Sequence, residues 1–292
     1  MRKSFFISLC CICFSHLCFT QGVSKRPIFK AQFIQLPGSV ELEYTEQGDA
    51  SGTPVIFLHG FTDSWHSFES TLPHLPKSFR AFAITQRGHG HSFKPEAAYQ
   101  MKDFAADVAA FIKAKNLGQV IIVGHSMGGL VAQQFALDFP KLTKAIVIVD
   151  SDASFIDNPG IPEFLNEVTQ LSDPVAYEFA DAFQKSTLSR PIDSTYYQLL
   201  VGESLKVPAH VWREAMQQIM EANYTSQLSL IQKPTLIFWG DKDSICLGTD
   251  QELLQKGIKG SELIVYKGVG HALHWEEPER FAKDLTSFIV NQ

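Results

Sequence analysis

Ser126 lies in a segment whose glycine spacing is typical of a nucleophilic serine. Residues 124–129 read Gly-His-Ser-Met-Gly-Gly, directly after an apolar run at 120–123 and at the start of a helical pattern. A sharp turn from strand to helix strains the backbone at the serine, and small residues two positions before and after it remove side-chain clashes. The hydroxyl is then presented at the carboxyl edge of a sheet. A serine placed in this way is suited to attack a carbonyl carbon.

Such a serine needs a base and an acid, and the second half of the chain offers both. His271 follows Gly270 shortly after an apolar run at 263–265, and it is suited to take the serine proton and return it to the leaving group. A carboxylate just after the run 235–239 would accept the other ring N–H of this histidine and fix its tautomer. Asp241 and Asp243 both stand there and compete for the role.

The elements that must position these residues alternate along the chain. Continuous apolar runs, typical of strands covered on both faces, lie at 55–58, 81–84, 120–123, 145–149, 235–239 and 263–265. A hairpin is predicted around Pro37-Gly38, and helices are predicted at 101–116, 127–139 and 278–290. This order predicts an α/β fold with a mostly parallel, doubly wound sheet.

The alternation lapses between residues 151 and 230. That stretch has no strong strand and offers helical patterns, punctuated by proline and glycine, at 162–171, 174–185, 193–201 and 208–222. We therefore predict a helical cap at 151–230 over one edge of the sheet, and a core built from 21–150 and 231–292. The cap is rich in aromatic residues, and we expect some of them to line an apolar pocket: Phe155, Phe164, Phe179, Phe183, Tyr196, Tyr197 and Trp212.

Composition excludes several classes of protein. The 292 residues are 45% hydrophobic and 19% charged, which excludes a disordered or fibrous chain. The net charge of −6 gives no basic footprint, so no nucleic-acid partner is expected. Cys246 is the single cysteine of the sequence beyond residue 20, which excludes a disulfide framework or a cysteine-rich zinc site in that part. We expect neither a metal nor a cofactor.

The first residues are typical of a targeting segment. Met1-Arg2-Lys3 is a basic start, and the apolar run at 5–19 is shorter than the roughly 20 residues that span a bilayer. We predict a signal peptide at 1–20 that is cleaved, a secreted or periplasmic protein, and no stable membrane span in the mature chain.

From about residue 52 onward, the chain resembles the α/β-hydrolase superfamily, in particular its lidded serine esterase-like branch. The resemblance rests on the Ser, Asp, His order and on the motifs at 59–61 (His-Gly-Phe), 87–92 (Arg-Gly-His-Gly-His-Ser), 124–129, 240–243 (Gly-Asp-Lys-Asp) and 270–271. Gln86 departs from the aspartate common in relatives, at a position outside the catalytic set.

The resemblance also implies roles for individual residues. The family's acid turn, Gly-x-x-Asp, ends on Asp243, which is therefore preferred to Asp241, while Asp150 occupies an alternative acid position that some members use. The catalytic set is then Ser126, Asp243 and His271. The backbone N–H groups of Phe61 and Met127 would form the oxyanion hole.

Serine at the nucleophile position favours acyl transfer over the alkyl-enzyme chemistry of relatives that carry aspartate there. We predict hydrolysis of carboxylic esters, or of lactones or thioesters, through an acyl-serine. The expected substrate is a small ester with an apolar acyl or alcohol part. The alternatives are a cofactor-free haloperoxidase or perhydrolase, a carbon–carbon bond hydrolase of the same fold, and a hydrolase-like ligand receptor without turnover.

Overall fold

One sheet forms the centre of the molecule. The computed structural model describes residues 29–156, 158 and 160–292, so the predicted signal peptide lies outside the described residues. Within these residues, eight strands lie in the order β1-β2-β4-β3-β5-β6-β7-β8. The strands are β1 (Gln32–Leu36), β2 (Val40–Gln47), β3 (Thr53–Leu58), β4 (Phe79–Ile84), β5 (Val120–His125), β6 (Thr143–Val149), β7 (Thr235–Gly240) and β8 (Glu262–Tyr266). Strand β2 pairs antiparallel with β1 and β4, and the other pairs are parallel.

The helices lie between the strands and after the last one. They are α1 (Met101–Ala114), α2 (Met127–Asp138), α3 (Ile161–Thr169), α4 (Tyr177–Ser186), α5 (Ser194–Ser204), α6 (Ala209–Glu221), α7 (Gly248–Gly257), α8 (Leu273–Glu276) and α9 (Pro278–Ile289). The predicted fold class, with its hairpin and mostly parallel sheet, is confirmed. Helices α7 and α8 were not predicted, because α7 buries little apolar surface and α8 is about one turn long.

Both faces of the sheet are covered, which explains why its strands are continuously apolar. Along β3, Ile56 and Leu58 belong to one core with helices α1 and α2, whereas Val55 and Phe57 belong to a second core with α9. Successive side chains of a strand point to opposite faces, so every position of the strand must be apolar. No helix among the described residues has the length and hydropathy needed to cross a bilayer.

Helices α3–α6, here called the cap helices, are inserted between β6 and β7. A bridge between Ser154 and Asn223 and a hydrogen bond from Tyr224 N–H to Ala153 O (2.8 Å) join the two ends of this insertion. The chain therefore leaves and re-enters the sheet at neighbouring points. Because β5, β6, β7 and β8 are parallel, the loops that follow them meet at the same edge of the sheet, beneath the cap helices.

Candidate active site

Ser126 stands at the turn between β5 and α2, in a strained backbone conformation with φ of 52° and ψ of −117°. The flanking glycines are required by close packing. A Cβ at Gly124 would lie 2.0 Å from the carbonyl oxygen of Gly128, and one at Gly128 would lie 2.2 Å from that of Leu58. The turn is held by Ser126 N–H, which donates to Val149 O at 2.9 Å. Strain of this kind persists only where surrounding contacts maintain it.

His271 and Asp243 form a hydrogen-bonded pair at the same edge of the sheet. His271 Nδ1 lies 2.8 Å from Asp243 Oδ2, and both side chains are buried. The other carboxylate oxygen, Asp243 Oδ1, accepts the backbone N–H groups of Ile245 at 2.7 Å and Cys246 at 3.0 Å. These two bonds orient the carboxylate, so that Oδ2 is the oxygen that faces the histidine.

The two competing acids lie elsewhere. Asp241 accepts the backbone N–H of Gly268 at 2.6 Å and lies 3.5 Å from the Lys267 ammonium, at the surface. Asp150 is fully buried, and its Oδ1 accepts the N–H of Gly240 at 2.8 Å. Burial, with the neighbouring Asp243 carboxylate, raises the pKa of Asp150 well above its usual value. Burial therefore favours the neutral form of Asp150.

Phe61 lies on the loop after β3, and Met127 lies at the start of the neighbouring helix α2. Phe61 follows β3, and Met127 is the first residue of α2, whose N–H has no acceptor within the helix. The first turn of α2 packs against the end of β3, since a Cβ at Gly128 would stand 2.8 Å from His59 O. Among the described residues, neither the Phe61 nor the Met127 N–H has a hydrogen-bond acceptor. Within the described residues both donors are therefore left without a protein acceptor, as an oxyanion hole requires.

His59 orders the loop that carries Phe61. Its Nε2 accepts the backbone N–H of Gln86 at 2.9 Å, its Nδ1 lies 2.8 Å from Gly60 O, and the Gln86 side chain donates to His59 O at 2.8 Å. Burial lowers the pKa of His59 well below its usual value, so the ring is neutral. The glutamine that departs from the family pattern is therefore part of the support of this loop.

One group of described residues brings metal-binding atom types together. Single ligand atoms of Asp243, Cys246 and His271 lie within 4.8 Å of one another. A cysteine binds metal as a thiolate, but burial raises the pKa of the Cys246 thiol well above its usual value, and the nearby carboxylates raise it further. Asp243 and His271 already bond to each other. The geometry and charge fit a hydrogen-bonded acid–base pair better than a metal centre.

A cavity of about 190 Å³ lies beneath the cap helices, and Ser126 and His271 are in its wall. The apolar part of the lining comes mainly from Phe61, Phe155, Phe164, Phe183, Met216 and Ile219. Of the aromatic cap residues, Phe179 and Trp212 pack behind this wall, with Phe179 stacked on Phe164 at 6.2 Å between ring centroids. Met216 and Ile219 were not predicted, although their spacing of three residues places them on one face of α6.

Asp152 is another buried acid, and it is not part of the hydrogen-bonded pair of Asp243 and His271. Burial raises the pKa of Asp152 to about 9, and the carboxylates of Asp250 and Asp243 add to the effect. Its Oδ1 accepts the Gln251 side chain at 3.0 Å. The folded protein therefore holds a proton on Asp152 at neutral pH, whereas the unfolded chain does not. Because the folded state binds more protons, this group lowers stability as the pH rises from about 4 to 9.

We expect the Asp152→Asn variant to gain stability relative to the wild type as the pH rises, by about 4 kcal/mol between pH 5 and pH 8. Asparagine resembles the protonated acid and does not titrate. Urea unfolding across this pH range measures the difference. The control is Asp138→Asn, at an exposed position on α2, for which the difference should stay constant. Parallel pH curves for Asp152→Asn and the wild type would contradict the assignment.

Comparison with known proteins identifies relatives that match most of this chain. The family model described as "alpha/beta hydrolase fold" matches residues 53–278. YisY, an AB hydrolase superfamily protein of Bacillus subtilis, is 28% identical over 246 residues, which cover 81% of this chain and 91% of that protein. Lipase 1 of Psychrobacter immobilis is 26% identical over 265 residues, covering 87% and 82%. An esterase structure from Exiguobacterium antarcticum covers 89% of this chain and 100% of its own, with TM-score 0.81 and 23% identity, a likeness of fold.

Proposed function

The chain belongs to the alpha/beta hydrolase fold family, and from this premise we propose that it hydrolyses carboxylic esters through an acyl-serine intermediate. One observation carries the proposal. Ser126 and His271 line the same cavity, and the Nδ1 atom of His271 bonds to the buried Asp243 carboxylate at 2.8 Å. A serine, a histidine base and an orienting carboxylate in this arrangement are what acyl transfer requires.

In the first step, Ser126 Oγ attacks the ester carbonyl carbon while His271 Nε2 takes the hydroxyl proton. Asp243 accepts a hydrogen bond from the Nδ1–H group of His271 and stabilises the imidazolium that forms. The backbone N–H groups of Phe61 and Met127 donate to the carbonyl oxygen as it becomes negative. The carbon–oxygen bond to the alcohol then breaks, and His271 protonates the departing oxygen. An acyl-Ser126 ester remains.

In the second step, water replaces the alcohol. His271 Nε2 takes a proton from water as its oxygen attacks the acyl-serine carbonyl carbon, and the same N–H groups stabilise the negative oxygen. The bond to Ser126 Oγ then breaks, and His271 returns the proton to the serine. The products are a carboxylic acid and the free enzyme, so no electron acceptor or donor is consumed.

The lining of the cavity supports an uncharged, apolar acyl group. Among the described residues of its wall, none is lysine, arginine, aspartate or glutamate. Burying a charged acyl chain there would leave that charge unpaired at a large cost. Similarity to Lipase 1, whose name denotes ester hydrolysis, agrees with this substrate class.

The test is a series of p-nitrophenyl esters with acyl chains of increasing length, together with a succinyl half-ester. We expect saturable turnover of the short and medium apolar esters. The half-ester, whose acyl chain carries a carboxylate, should have a kcat/KM lower by at least tenfold, because the described residues of the wall offer that charge no cationic side chain. Failure to turn over any ester of the series would reject the proposal.

The wall of the cavity gives a sharper prediction. Phe164→Ala should raise the ratio of kcat/KM for octanoate to that for butyrate by about tenfold, because it opens space for additional methylenes. Phe179→Ala is the matched control. This ring stacks on Phe164 from outside the cavity, so its removal should change the ratio by less than twofold. Equal shifts in both variants would show that Phe164 does not face the acyl chain.

A further inference from the structure

The loop that carries Phe61 contains a strained turn. Asp63 N–H donates to Gly60 O at 3.3 Å and closes a turn with Phe61 and Thr62 at its centre. Thr62 has φ of 67°, in the left-handed region that favours glycine and disfavours a β-branched side chain. A threonine keeps this conformation only where other contacts compensate for it. The compensating contacts therefore determine how the Phe61 N–H is presented.

Those contacts come from the cap helices. Gln184, on α4, uses its side-chain amide N–H groups to donate to Asp63 Oδ1 at 2.8 Å and to Ser204 Oγ at 2.8 Å. Ser204, the last residue of α5, lies 3.0 Å from Thr62 Oγ1 through its hydroxyl. These three side-chain bonds, together with the backbone that joins Thr62 to Asp63, form a closed ring, and each of the four residues is at most 2% exposed. Water therefore does not replace a bond that is lost from the ring.

Asp63 depends on this ring because it has few other partners. Its Oδ2 accepts the Ser67 hydroxyl at 3.4 Å, at the long end of the hydrogen-bond range. Burial already raises the pKa of Asp63 to about 7, and the hydrogen bond from Gln184 opposes this rise. Removing the Gln184 amide would leave Asp63 Oδ1 buried without a donor, at the cost of an unsatisfied buried polar atom. The Asp63 side chain would lose the contact that fixes its position, and we expect the turn to become less well held at Phe61, two residues before it.

We propose that Gln184 and Ser204 are positioning residues that hold the turn 60–63 in the conformation that presents the Phe61 N–H to the substrate. The position of the cap helices on the core then affects the rate of acyl transfer. This inference rests on the proposed function, in which that N–H stabilises the oxyanion. A cap residue more than 120 positions away in sequence then acts on the reaction without touching the substrate.

The test compares Gln184→Met, which keeps the length of the side chain, and Ser204→Ala with the wild type. An oxyanion donor acts in the transition state, so kcat should fall by about 10- to 100-fold for Gln184→Met and less for Ser204→Ala, with KM within about threefold. The control is Tyr196→Phe. It leaves Gln184 and Ser204 in place but removes other bonds between cap and core, from Tyr196 Oη to His66 O at 2.8 Å and to Ser67 O at 3.0 Å, and from Ser70 Oγ to Tyr196 Oη at 3.3 Å. Its kcat should stay within about twofold.

A second measurement does not depend on activity. Amide hydrogen exchange in residues 60–63 should be faster by about tenfold in Gln184→Met and Ser204→Ala, and unchanged in Tyr196→Phe. Wild-type exchange and kcat in both ring variants would overturn the inference, as would an equal loss of kcat in Tyr196→Phe. If Gln184→Met does not fold, Ser204→Ala decides. Absence of ester turnover in the wild type would reject the proposed function, while exchange would still report on the turn.

Discussion

Replacing Ser126 by alanine is expected to lower kcat for ester hydrolysis by about 10⁶, because the nucleophile, base and acid act as one unit. For the same reason the effects of Ser126→Ala and His271→Ala should not add, and the double variant should be about as slow as either single one. Steady-state kinetics with a p-nitrophenyl ester measures both effects. A fluorophosphonate should label the wild type on Ser126 and leave the Ser126→Ala protein unlabelled.

The loss should arise without unfolding. The turn at residue 126 is held through its backbone, since the N–H donates to Val149 O at 2.9 Å and the carbonyl accepts the Ser151 hydroxyl at 2.7 Å. Alanine keeps both bonds and a small side chain, so the midpoint of urea unfolding should stay close to that of the wild type. A folded Ser126→Ala protein with near wild-type ester turnover would overturn the mechanism.

Replacing Asp243 by asparagine is expected to lower kcat by about 10⁴. The backbone N–H groups of Ile245 and Cys246 both donate to Asp243 Oδ1, so the amide oxygen of an asparagine would take that position. Its NH₂ group would then face His271 Nδ1 and force this nitrogen to accept. The proton of the ring would move to Nε2, the atom that must take the serine proton.

The chain offers two controls for Asp243→Asn. Asp241→Asn changes a carboxylate that bonds Gly268 and Lys267 at the surface, and kcat should change by less than about twofold. Asp150→Asn replaces an acid whose pKa is raised by burial, and asparagine resembles the protonated form that burial favours, so the effect should also be small. A larger loss for Asp241→Asn or Asp150→Asn than for Asp243→Asn would show that the acid is wrongly assigned.

Much of the architecture follows from the sequence because the signals are local. Each strand of the central sheet must be apolar on both faces, and this leaves a continuous run such as Val55 to Leu58. The turn at Ser126 needs glycine at 124 and 128, since a Cβ at either position would collide with backbone a few ångströms away. Helix α7 left no such signal, because its buried side chains are mainly Gln251 and Leu254.

The contacts between distant segments were decided by the tertiary structure alone. Asp150, Asp241 and Asp243 all follow strands that end at the same edge. The Gly-x-x-Asp motif favours Asp243, but the contact itself depends on burial and on which carboxylate the backbone turns toward His271. Likewise, α3 and α4 turn Phe164 and Phe183 into the cavity while Phe179 and Trp212 pack behind it.

The hydrogen-bonded ring of Thr62, Asp63, Gln184 and Ser204 is the clearest example of a contact that the sequence does not reveal. Asp63 and Gln184 are 121 residues apart, and neither position carries a spacing or composition that distinguishes it from other polar residues. Strand and helix patterns arise from periodicity along one segment, so they can be seen in the sequence. A buried hydrogen bond between a core loop and a cap helix depends on how two packed units meet, and that relation exists only in the folded molecule.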